Sequence, residues 1–435
     1  MLIPAPRLLW LAAALVALGL VASIFPAFAV AWIVAAALLV AFAAVDAFAA
    51  RQIRPPEARR VLPASLPLGV AHDVVLRLAN EGTAAVACDV HDHYPPGVEP
   101  KGLPQRVTVP ARGWAEIRYS VRPVKRGPIA FGLVELRLAS RAGLWQVRRR
   151  VGEATATRVY PNFAALTKFA LLATDHRLSQ IGVLQRRRRG EGLDFHQLRE
   201  YREGDAQRQV DWKATARMRK LVSREYQDER DQQVVLLVDC GRRMAAQDGD
   251  LAHFDHVLNA ALLLAYVSLR QGDAVGFLTM SGAPRWLAPR KARATVSLIL
   301  NRVYDLQPTL QTTDYYSAAL ELMKRLRKRS LVVILSNLRD EDDDTLAPAL
   351  GLLQSRHLVL FASLREQILS RALATRADTF DRALTHAATA DYLQRRELAF
   401  RRLERGGAVC LDVEPAELPI ALVNRYIDIK RSGRL

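Results

Sequence analysis

Short aliphatic runs alternate with helix-forming segments from Val234 onward, and this alternation constrains the fold more than any other feature of the sequence. Strands that alternate with helices indicate a mainly parallel sheet with helices on both faces. Ligands of such sheets bind beyond the carboxyl ends of the strands, where Asp239 ends the first aliphatic run. The predicted strands are Val234–Val238, Ala274–Thr279, Leu331–Leu335, Leu358–Ala362 and Ala408–Asp412, and the predicted helices are His253–Gln271, Asp314–Arg327, Asp342–Ser355, Asp391–Glu404 and Pro415–Lys430.

An apolar segment from Leu8 to Ala50 contains one charged side chain, that of Asp46. A bilayer core needs about 20 apolar residues per helix, so this segment is long enough for two spans with a turn near Pro26. Proline suits the turn because it cannot continue a helix without losing a hydrogen bond. We expect Asp46 to be hydrated at the membrane interface and to have no function.

Basic residues flank the apolar segment and are missing from its predicted turn. Arg7 precedes the first span, and Arg51, Arg54, Arg59 and Arg60 follow the second. The positive-inside rule then predicts a multi-pass protein of the inner (cytoplasmic) membrane, with its soluble domains in the cytoplasm. The alternative is a signal peptide that is cleaved at the small residues 27–29.

Short apolar runs separated by turn signals extend from about Val61 to Tyr160, and they predict a small β-sandwich. His91 and His93 would share one face of a strand, but no third metal ligand lies nearby in the sequence, which favours a surface turn over a metal pair. The predicted domains are a transmembrane hairpin over 1–52, a sandwich over 60–160, a linker with a signature segment over 161–232 and an α/β domain over 233–435.

The net charge of +18 has three interpretations: nucleic-acid binding, attraction to an anionic membrane surface, or an arginine-rich composition. We expect no nucleic acid, because the aromatic residues do not recur at the spacing of a base-stacking platform. The run Arg186–Arg189 is either a solvated linker or a contact with lipid headgroups or an acidic partner. The three cysteines lack metal-site spacing, so we expect free, buried thiols.

A densely charged stretch from Gly190 to Met244 leads into the first strand of the α/β domain. Its motifs are GEG-x-x-F over 190–195, LREYREGD over 198–205 and DWKATAR over 211–217. In these motifs the chain resembles the bacterial family known only as domain of unknown function fifty-eight. The resemblance implies a membrane-anchored protein with a von Willebrand A-like domain that accompanies MoxR-type AAA+ ATPases. We therefore expect a non-enzymatic adaptor or scaffold that binds such an ATPase, and other membrane proteins, in envelope or complex-assembly work.

Von Willebrand A domains bind a divalent ion through D-x-S-x-S after the first strand, with a threonine and an acid from later loops. The resemblance places these positions at Asp239, Gly241, Arg243, Thr312, Thr313 and Asn337. Glycine and arginine replace both serines, and an amide replaces the last acid. Because Mg²⁺ requires near-octahedral oxygen ligation, we expect no metal or cofactor here, and Mg²⁺ is the one ion that the pattern leaves open. In the alternative, Asp239 pairs with Arg242 or Arg243, or caps the next helix.

The signature stretch also predicts a charged docking surface around a tryptophan, since tryptophan and arginine dominate many interfaces. In the alternative, Phe195, Tyr201 and Trp212 pack an extension against the sheet. The predicted partner-binding residues are Arg199, Tyr201, Asp205, Arg208, Asp211, Trp212, Lys213 and Arg217.

Familiar catalytic motifs are missing from the sequence: it has no phosphate-binding loop, nucleophile elbow or H-E-x-x-H helix. We therefore expect a protein that is not an enzyme. The alternative is a metal-dependent hydrolase that uses Asp239 with His253 and His256, which share one helical face. Capping and solvation of the first helical turn explain these histidines more simply. The acidic block Asp340–Asp344 indicates a helix start.

Overall fold

A computed structural model describes residues 2–162, 194–202, 210–227, 232–339 and 342–434. These residues belong to two compact units, Met1–Tyr160 and Pro161–Leu435. The run Arg186–Arg189 lies outside the described residues.

Two apolar helices open the first unit: α1 (Pro6–Ile24) and α2 (Ala29–Arg51), joined by a 3₁₀ turn at Pro26–Phe28. Both are long and apolar enough to cross a membrane, and only 6% of the most apolar window of each is buried. The indole Nε1 of Trp32 donates to the carbonyl of Leu15 at 2.9 Å, which ties the helices together. Side chains this apolar and this exposed are those of a membrane-associated hairpin rather than of a soluble core.

Asp46 is buried, which corrects the expectation that the interface hydrates it. Its side chain is 5% exposed. The carboxylate accepts from Ser140 Oγ at 2.6 Å, from the Ala142 N–H at 3.1 Å and from the Leu144 N–H at 3.3 Å. The acid therefore joins α2 to a loop of the β region that lies about a hundred residues later in the chain, a contact that a sequence window cannot show.

The rest of the first unit is all-β. One sheet has the order β1-β11-β10-β5-β7, a second has the order β2-β4-β8-β6, and a third has the order β3-β12-β9. Apolar residues alternate with polar ones along β4, so one face of that strand is buried. The strands are β1 (Leu2–Pro4), β2 (Glu57–Val61), β3 (Ser65–Pro67), β4 (His72–Asn80), β5 (Val86–Asp92), β6 (Val98–Lys101), β7 (Gln105–Val109), β8 (Gly113–Pro123), β9 (Gly127–Phe131), β10 (Val134–Ala139), β11 (Trp145–Val151) and β12 (Thr155–Tyr160).

The sequence His91-Asp92-His93 ends a strand, and the expectation of a surface turn there is wrong. Asp92 is fully buried and accepts hydrogen bonds from Arg60 and from the Tyr119 hydroxyl. Burial raises the pKa of Tyr119, and the negative charge of Asp92 raises it further. The acid between the two histidines is therefore a structural group that connects two sheets.

The second unit contains a six-stranded sheet with the order β19-β18-β15-β20-β21-β22. All neighbours are parallel except β19, which runs antiparallel to β18 at one edge. The aliphatic strands are buried on both faces, which is why they read as continuous apolar runs. The strands are β15 (Gln233–Asp239), β18 (Ala274–Met280), β19 (Trp286–Arg290), β20 (Leu331–Ser336), β21 (Leu358–Leu364) and β22 (Val409–Val413), and a small hairpin joins β16 (Gln247–Asp248) to β17 (Leu251–Ala252).

Helices cover both faces of this sheet. Alternate residues of β15 point to opposite sides, so Leu236 joins one hydrophobic core and Leu237 the other. Helices α4, α5 and α10 supply the first core, and α6, α7 and α9 supply the second. The helices are α4 (His253–Arg270), α5 (Thr295–Val303), α6 (Tyr315–Arg325), α7 (Asp343–Gln354), α8 (Gln367–Ala374), α9 (Phe380–Arg405) and α10 (Leu418–Arg431).

The described part of the signature stretch is a small element of its own. Strands β13 (Asp194–Glu200) and β14 (Val222–Gln227) pair antiparallel, and α3 (Trp212–Met218) precedes β14. Asp211 caps α3, because its side chain accepts from the N–H groups of Lys213 and Ala214.

The predicted parallel strands and five helices are present, with ends shifted by a few residues, apart from α9, which begins at Phe380 rather than Asp391. The sequence pattern did not predict β19, α5, α8 or the hairpin of β16 and β17. The strand β19 contains Pro289, which obscures a strand pattern.

Candidate functional site

The carboxyl edge of the parallel sheet gathers the residues that the sequence singled out at Asp239. The Asp239 carboxylate accepts hydrogen bonds from three donors: the Gly241 N–H at 2.7 Å, Thr313 Oγ1 at 2.6 Å and Ser336 Oγ at 2.5 Å. The Tyr315 hydroxyl lies 2.7 Å from Ser336 Oγ and extends the chain of hydrogen bonds inward. β15 and β20 are adjacent strands, and the chain leaves them toward opposite faces of the sheet. Folds of this kind bind ligands beyond the carboxyl ends of two such strands.

Asp239 is 1% exposed. Burial raises the pKa of this carboxyl, and the hydrogen bonds from Ser336, Thr313 and the Gly241 N–H oppose that shift. The same burial raises the pKa of Tyr315 well above its usual value. A carboxylate that already accepts three internal hydrogen bonds has little capacity left for an ion.

Gly241 stands at one of the two positions where the family resemblance led us to expect a serine, and a Cβ atom there has no free space. A Cβ atom at this position would overlap Thr313 Oγ1 and would stand 3.1 Å from Asp239 Oδ1. Thr313 thus occupies the space that a serine side chain at position 241 would need. Thr312, the neighbouring candidate, is exposed and lines a cavity of about 410 Å³ together with Met280, Trp286 and Arg325.

Arg243 pairs with Asp342, whereas the alternative drawn from the sequence paired Asp239 with Arg242 or Arg243. Arg243 Nη1 contacts Asp342 Oδ2, and it also donates to the Asn337 carbonyl at 3.4 Å. Asp342 is the residue that precedes α7, and its carboxylate also accepts from the Arg339 N–H at 2.9 Å. An ion pair between two loops therefore lies beside Asp239, and the cation in it is a guanidinium.

Asn337 takes part in a second buried network. Its Nδ2 donates to Glu366 Oε1 at 2.8 Å, and its Oδ1 accepts from Arg396 Nη1 at 3.2 Å. Burial opposes ionisation of Glu366, but the hydrogen bond from Asn337 and the nearby Arg396 and His253 lower its pKa below the usual value. The amide is thus committed to these two partners.

Arg396 is a residue that the sequence analysis missed, although it is 2% exposed at the centre of this network. Its guanidinium donates to Ser363 Oγ at 2.8 Å and to Asp412 Oδ1 at 2.8 Å, and it also contacts the Leu338 carbonyl. Burial opposes its charge, yet Asp412 raises its pKa above the usual value. The sequence contains one indication of this role. Arg396 lies on the same face of the helix as the apolar residues Ala399, Phe400 and Leu403, where a charged residue is unexpected.

His253 and His256 do not join Asp239 through any hydrogen bond or ion pair that the described residues make. His253 is fully buried, its Nε2 lies 3.8 Å from Asp248 Oδ2, and neither ring nitrogen has a hydrogen-bond partner in the described part of the chain. Burial lowers the pKa of both histidines. The described residues also contain no cluster of three or more metal-ligating side chains.

The signature segment presents Trp212 to solvent. Trp212 is 69% exposed at the start of α3, next to its cap Asp211. Arg224 Nε donates to Asp211 Oδ2 at 2.9 Å, and the hydrogen bonds from the Ala214 N–H and from Arg224 lower the Asp211 pKa. The exposure of Trp212 disagrees with the alternative in which it packs against the sheet. Lys213 and Arg217 are exposed, Arg199 and Tyr201 are half-buried, and Asp205 and Arg208 lie outside the described residues.

Comparison with solved structures gives only weak similarities. An aerotolerance-related membrane protein from Bacteroides fragilis is 14% identical over 46% of this chain and 98% of its own, with a TM-score of 0.28. A FixG-related protein from Vibrio parahaemolyticus is 9% identical over 25% of this chain and 98% of its own, with a TM-score of 0.18. Proximal thread matrix protein 1 from the mussel byssus is 9% identical over 47% of this chain and 45% of its own, with a TM-score of 0.27. Similarities at this level carry no argument about function.

The family comparison is more specific. No curated protein matches the chain. The model of the family described as "Protein of unknown function DUF58" matches residues 197–373, which contain most of the signature stretch and the Asp239 site. The family resemblance predicted from the sequence motifs is therefore confirmed, since residues 197–373 match the model of the family of unknown function DUF58.

Proposed function

We propose that the chain is a non-enzymatic adaptor whose hairpin spans the inner membrane and whose α/β domain binds a protein partner in the cytoplasm. Arginines at both ends of the hairpin support this orientation, since basic residues stay on the cytoplasmic side. The apolar lengths of α1 and α2 support two passes through the bilayer.

The α/β domain, in this proposal, is von Willebrand A-like. Counted along the chain, its six strands have the order 3-2-1-4-5-6, and the third strand is the antiparallel edge strand β19. The Asp239 position at the end of β15 agrees with the position of the metal motif in such domains. Asp239 accepts a hydrogen bond from Thr313 of the protein itself, and Arg243 forms an ion pair with Asp342. Both features support a site of this kind that needs no metal ion.

The observation that carries the proposal is the exposed apolar surface of the signature segment. Trp212, Met218 and Leu221 are 69%, 64% and 49% exposed, on residues that the family model matches. Large apolar side chains cost free energy in water, and a partner that covers them recovers about 25 cal/mol per Å². The partner implied by the family resemblance is a MoxR-type AAA+ ATPase, which would act on envelope or membrane complexes.

The described geometry gives the hydrolase alternative little support. The ring nitrogens of His253 have no hydrogen-bond partner among the described residues, and Asp239 lies under three donors that would have to be displaced before a metal or water could reach it. An adaptor needs neither group to be accessible.

Chemical cross-linking of native membranes tests the adaptor. Affinity capture would compare the wild type with Trp212→Ala and with Trp114→Ala, a matched control whose indole is 65% exposed in the first unit. We expect an AAA+ ATPase with the wild type and the control, and at least a fivefold loss with Trp212→Ala, since exposed tryptophans at interfaces contribute about 1 kcal/mol or more. Equal recovery from all three would refute the docking surface, and no ATPase from the wild type would refute the partner.

A further inference from the structure

Strand β11 lies beside the last turns of α2. Trp145 Nε1 donates to the Ala43 carbonyl at 2.8 Å, and Arg149 Nη2 donates to the Arg51 carbonyl at 2.9 Å. From Trp145 to Arg149 the strand advances about 13 Å, and from Ala43 to Arg51 the helix advances about 12 Å. Because these two distances match, the strand and the helix run side by side in the same direction. This match fixes the β region to the end of the hairpin.

The start of α1 is fixed to the same strand. The residues before it form β1, in which Leu2 pairs with Val147 and Pro4 with Trp145. The Ala5 N–H donates to the Leu144 carbonyl at 2.8 Å, immediately before α1 begins. Both ends of the hairpin therefore meet at the loop 140–145, where Asp46 is also bound.

The length of α1 places this loop at the membrane surface. The helix has 19 residues, which span about 28 Å, close to the hydrocarbon thickness of about 30 Å. If the proposed insertion holds, the boundary of the hydrocarbon core lies at the start of α1, at the level of the loop 140–145. Trp10, which is 77% exposed, and the half-buried Trp145 lie near this level, and tryptophan concentrates at such boundaries.

Three exposed arginines lie toward this surface: Arg7 at the start of α1, Arg141 in the loop and Arg51 at the end of α2. A Cβ built on Gly143 would stand 3.1 Å from Arg7 Nη1, so the Arg7 side chain lies against the loop that carries Arg141. Within residues 2–162, no ion pair gives any of the three an acidic partner. Asp46, the acidic residue at this level, is buried and accepts hydrogen bonds from three donors. Its negative charge therefore does not neutralise the arginines at the surface.

We propose that Arg7, Arg51 and Arg141 bind the phosphate groups of anionic phospholipids at the membrane surface; this deepens the proposed function, because it depends on insertion of the hairpin. Guanidinium groups bind phosphate oxygens through paired hydrogen bonds, and basic residues at a membrane surface are attracted to anionic lipid. Such binding would hold the β region against the bilayer while the rest of the chain engages a partner.

Lipid retention by the full-length protein tests the proposal. The chain would be reconstituted in nanodiscs of phosphatidylcholine and phosphatidylglycerol in equal amounts, and native mass spectrometry would count each lipid that remains bound. We expect the wild type to favour phosphatidylglycerol, and Arg7→Gln with Arg141→Gln to reduce that preference roughly fivefold for each arginine removed. The control, Arg106→Gln with Arg118→Gln, removes two side chains that are each 73% exposed on β7 and β8 and should keep the preference.

Two further measurements separate the possible failures. Arg7→Lys with Arg141→Lys keeps the charge but not the paired hydrogen bonds of the guanidinium, so its preference should lie between those of the wild type and the glutamine pair. A lysine pair with no more preference than the glutamine pair would show that the charge at these positions does not attract the lipid and would overturn the proposal. Alkaline carbonate extraction reports insertion by itself. A wild type that stays in the membrane without preferring phosphatidylglycerol overturns the lipid site alone, and a wild type that is extracted overturns the proposed hairpin insertion as well.

Discussion

The Thr313 hydroxyl donates a hydrogen bond to Asp239 Oδ1 at 2.6 Å, across 74 residues of the chain. The Thr313 hydroxyl donates directly to the carboxylate, and Gly241 leaves the space in which the two loops can meet. The hydrogen bond thus joins these two loops directly.

Adding a methyl group at Gly241 should force the two loops apart. Gly241→Ala puts a Cβ closer to Thr313 Oγ1 than van der Waals contact allows, and overpacking of this kind costs about 1–3 kcal/mol. We expect the free energy of unfolding of the α/β unit to fall by that amount in urea titrations. Gly351→Ala is the control, because its Cβ would meet no atom within 4 Å on α7 and should leave stability equal or higher. Similar values for both variants would contradict the close contact.

Loss of the Arg396 guanidinium should destabilise the same unit more strongly. Arg396→Met leaves Asp412 and the carbonyl groups of Leu338 and Leu364 without their buried donor, and breaking one side of a buried ion pair costs about 3–5 kcal/mol. The neighbouring Arg395 is the control: its pair with Asp391 lies on the surface of α9, so Arg395→Met should cost less than about 1 kcal/mol. Thermal unfolding followed by circular dichroism would measure both, and equal midpoints would contradict the assigned network.

The α/β unit should lose stability as the pH falls. Burial lowers the pKa of His253 below its usual 6.5, and the nearby Glu366 and Asp248 only partly oppose this effect. Between the lowered pKa and 6.5 the unfolded chain binds a proton that the folded chain does not, so the free energy of unfolding decreases as pH falls through this window. Urea titrations across this range should show that decrease.

His253→Leu should flatten that pH dependence, since it removes a group whose ring nitrogens have no partner among the described residues. His256 and His357, whose pKa values burial also lowers, would account for the slope that remains. The matched control is His386→Leu, which replaces a half-buried histidine of α9. An unchanged slope in His253→Leu would show that His253 does not titrate in this way.

Replacement of Asp46 should loosen the β region from the hairpin without unfolding either. Asp46→Ala removes the acceptor of Ser140 Oγ and of the Ala142 and Leu144 N–H groups, and a buried donor left without a partner costs about 1–3 kcal/mol. Hydrogen–deuterium exchange in detergent should become faster at residues 140–145. The exposed Asp73 of β4 provides the control, and Asp73→Ala should leave exchange at that loop unchanged. Equal protection in both variants would mean that Asp46 does not hold the loop.

The sequence by itself determined the local elements of this protein: the two apolar helices, the five parallel strands and the position of Asp239 after the first of them. These features depend on the periodicity of nearby residues and on turn residues between them, so a short window of sequence contains them. The motifs between Gly190 and Arg217 also indicated the family, because a long match of residues in a fixed order can be recognised from the sequence alone.

Only the tertiary structure decided which polar groups meet. Asp46 binds a loop that begins 94 residues later, Arg243 pairs with an acid 99 residues away, and Arg396 reaches back 59 residues to Asn337. Local pattern predicted water around Asp46, which was wrong, and it left open whether Asp239 pairs with Arg243 and whether Trp212 is packed or exposed. A buried charge needs partners that offset the cost of leaving water, and those partners come from whichever elements the fold brings together, so no local pattern names them.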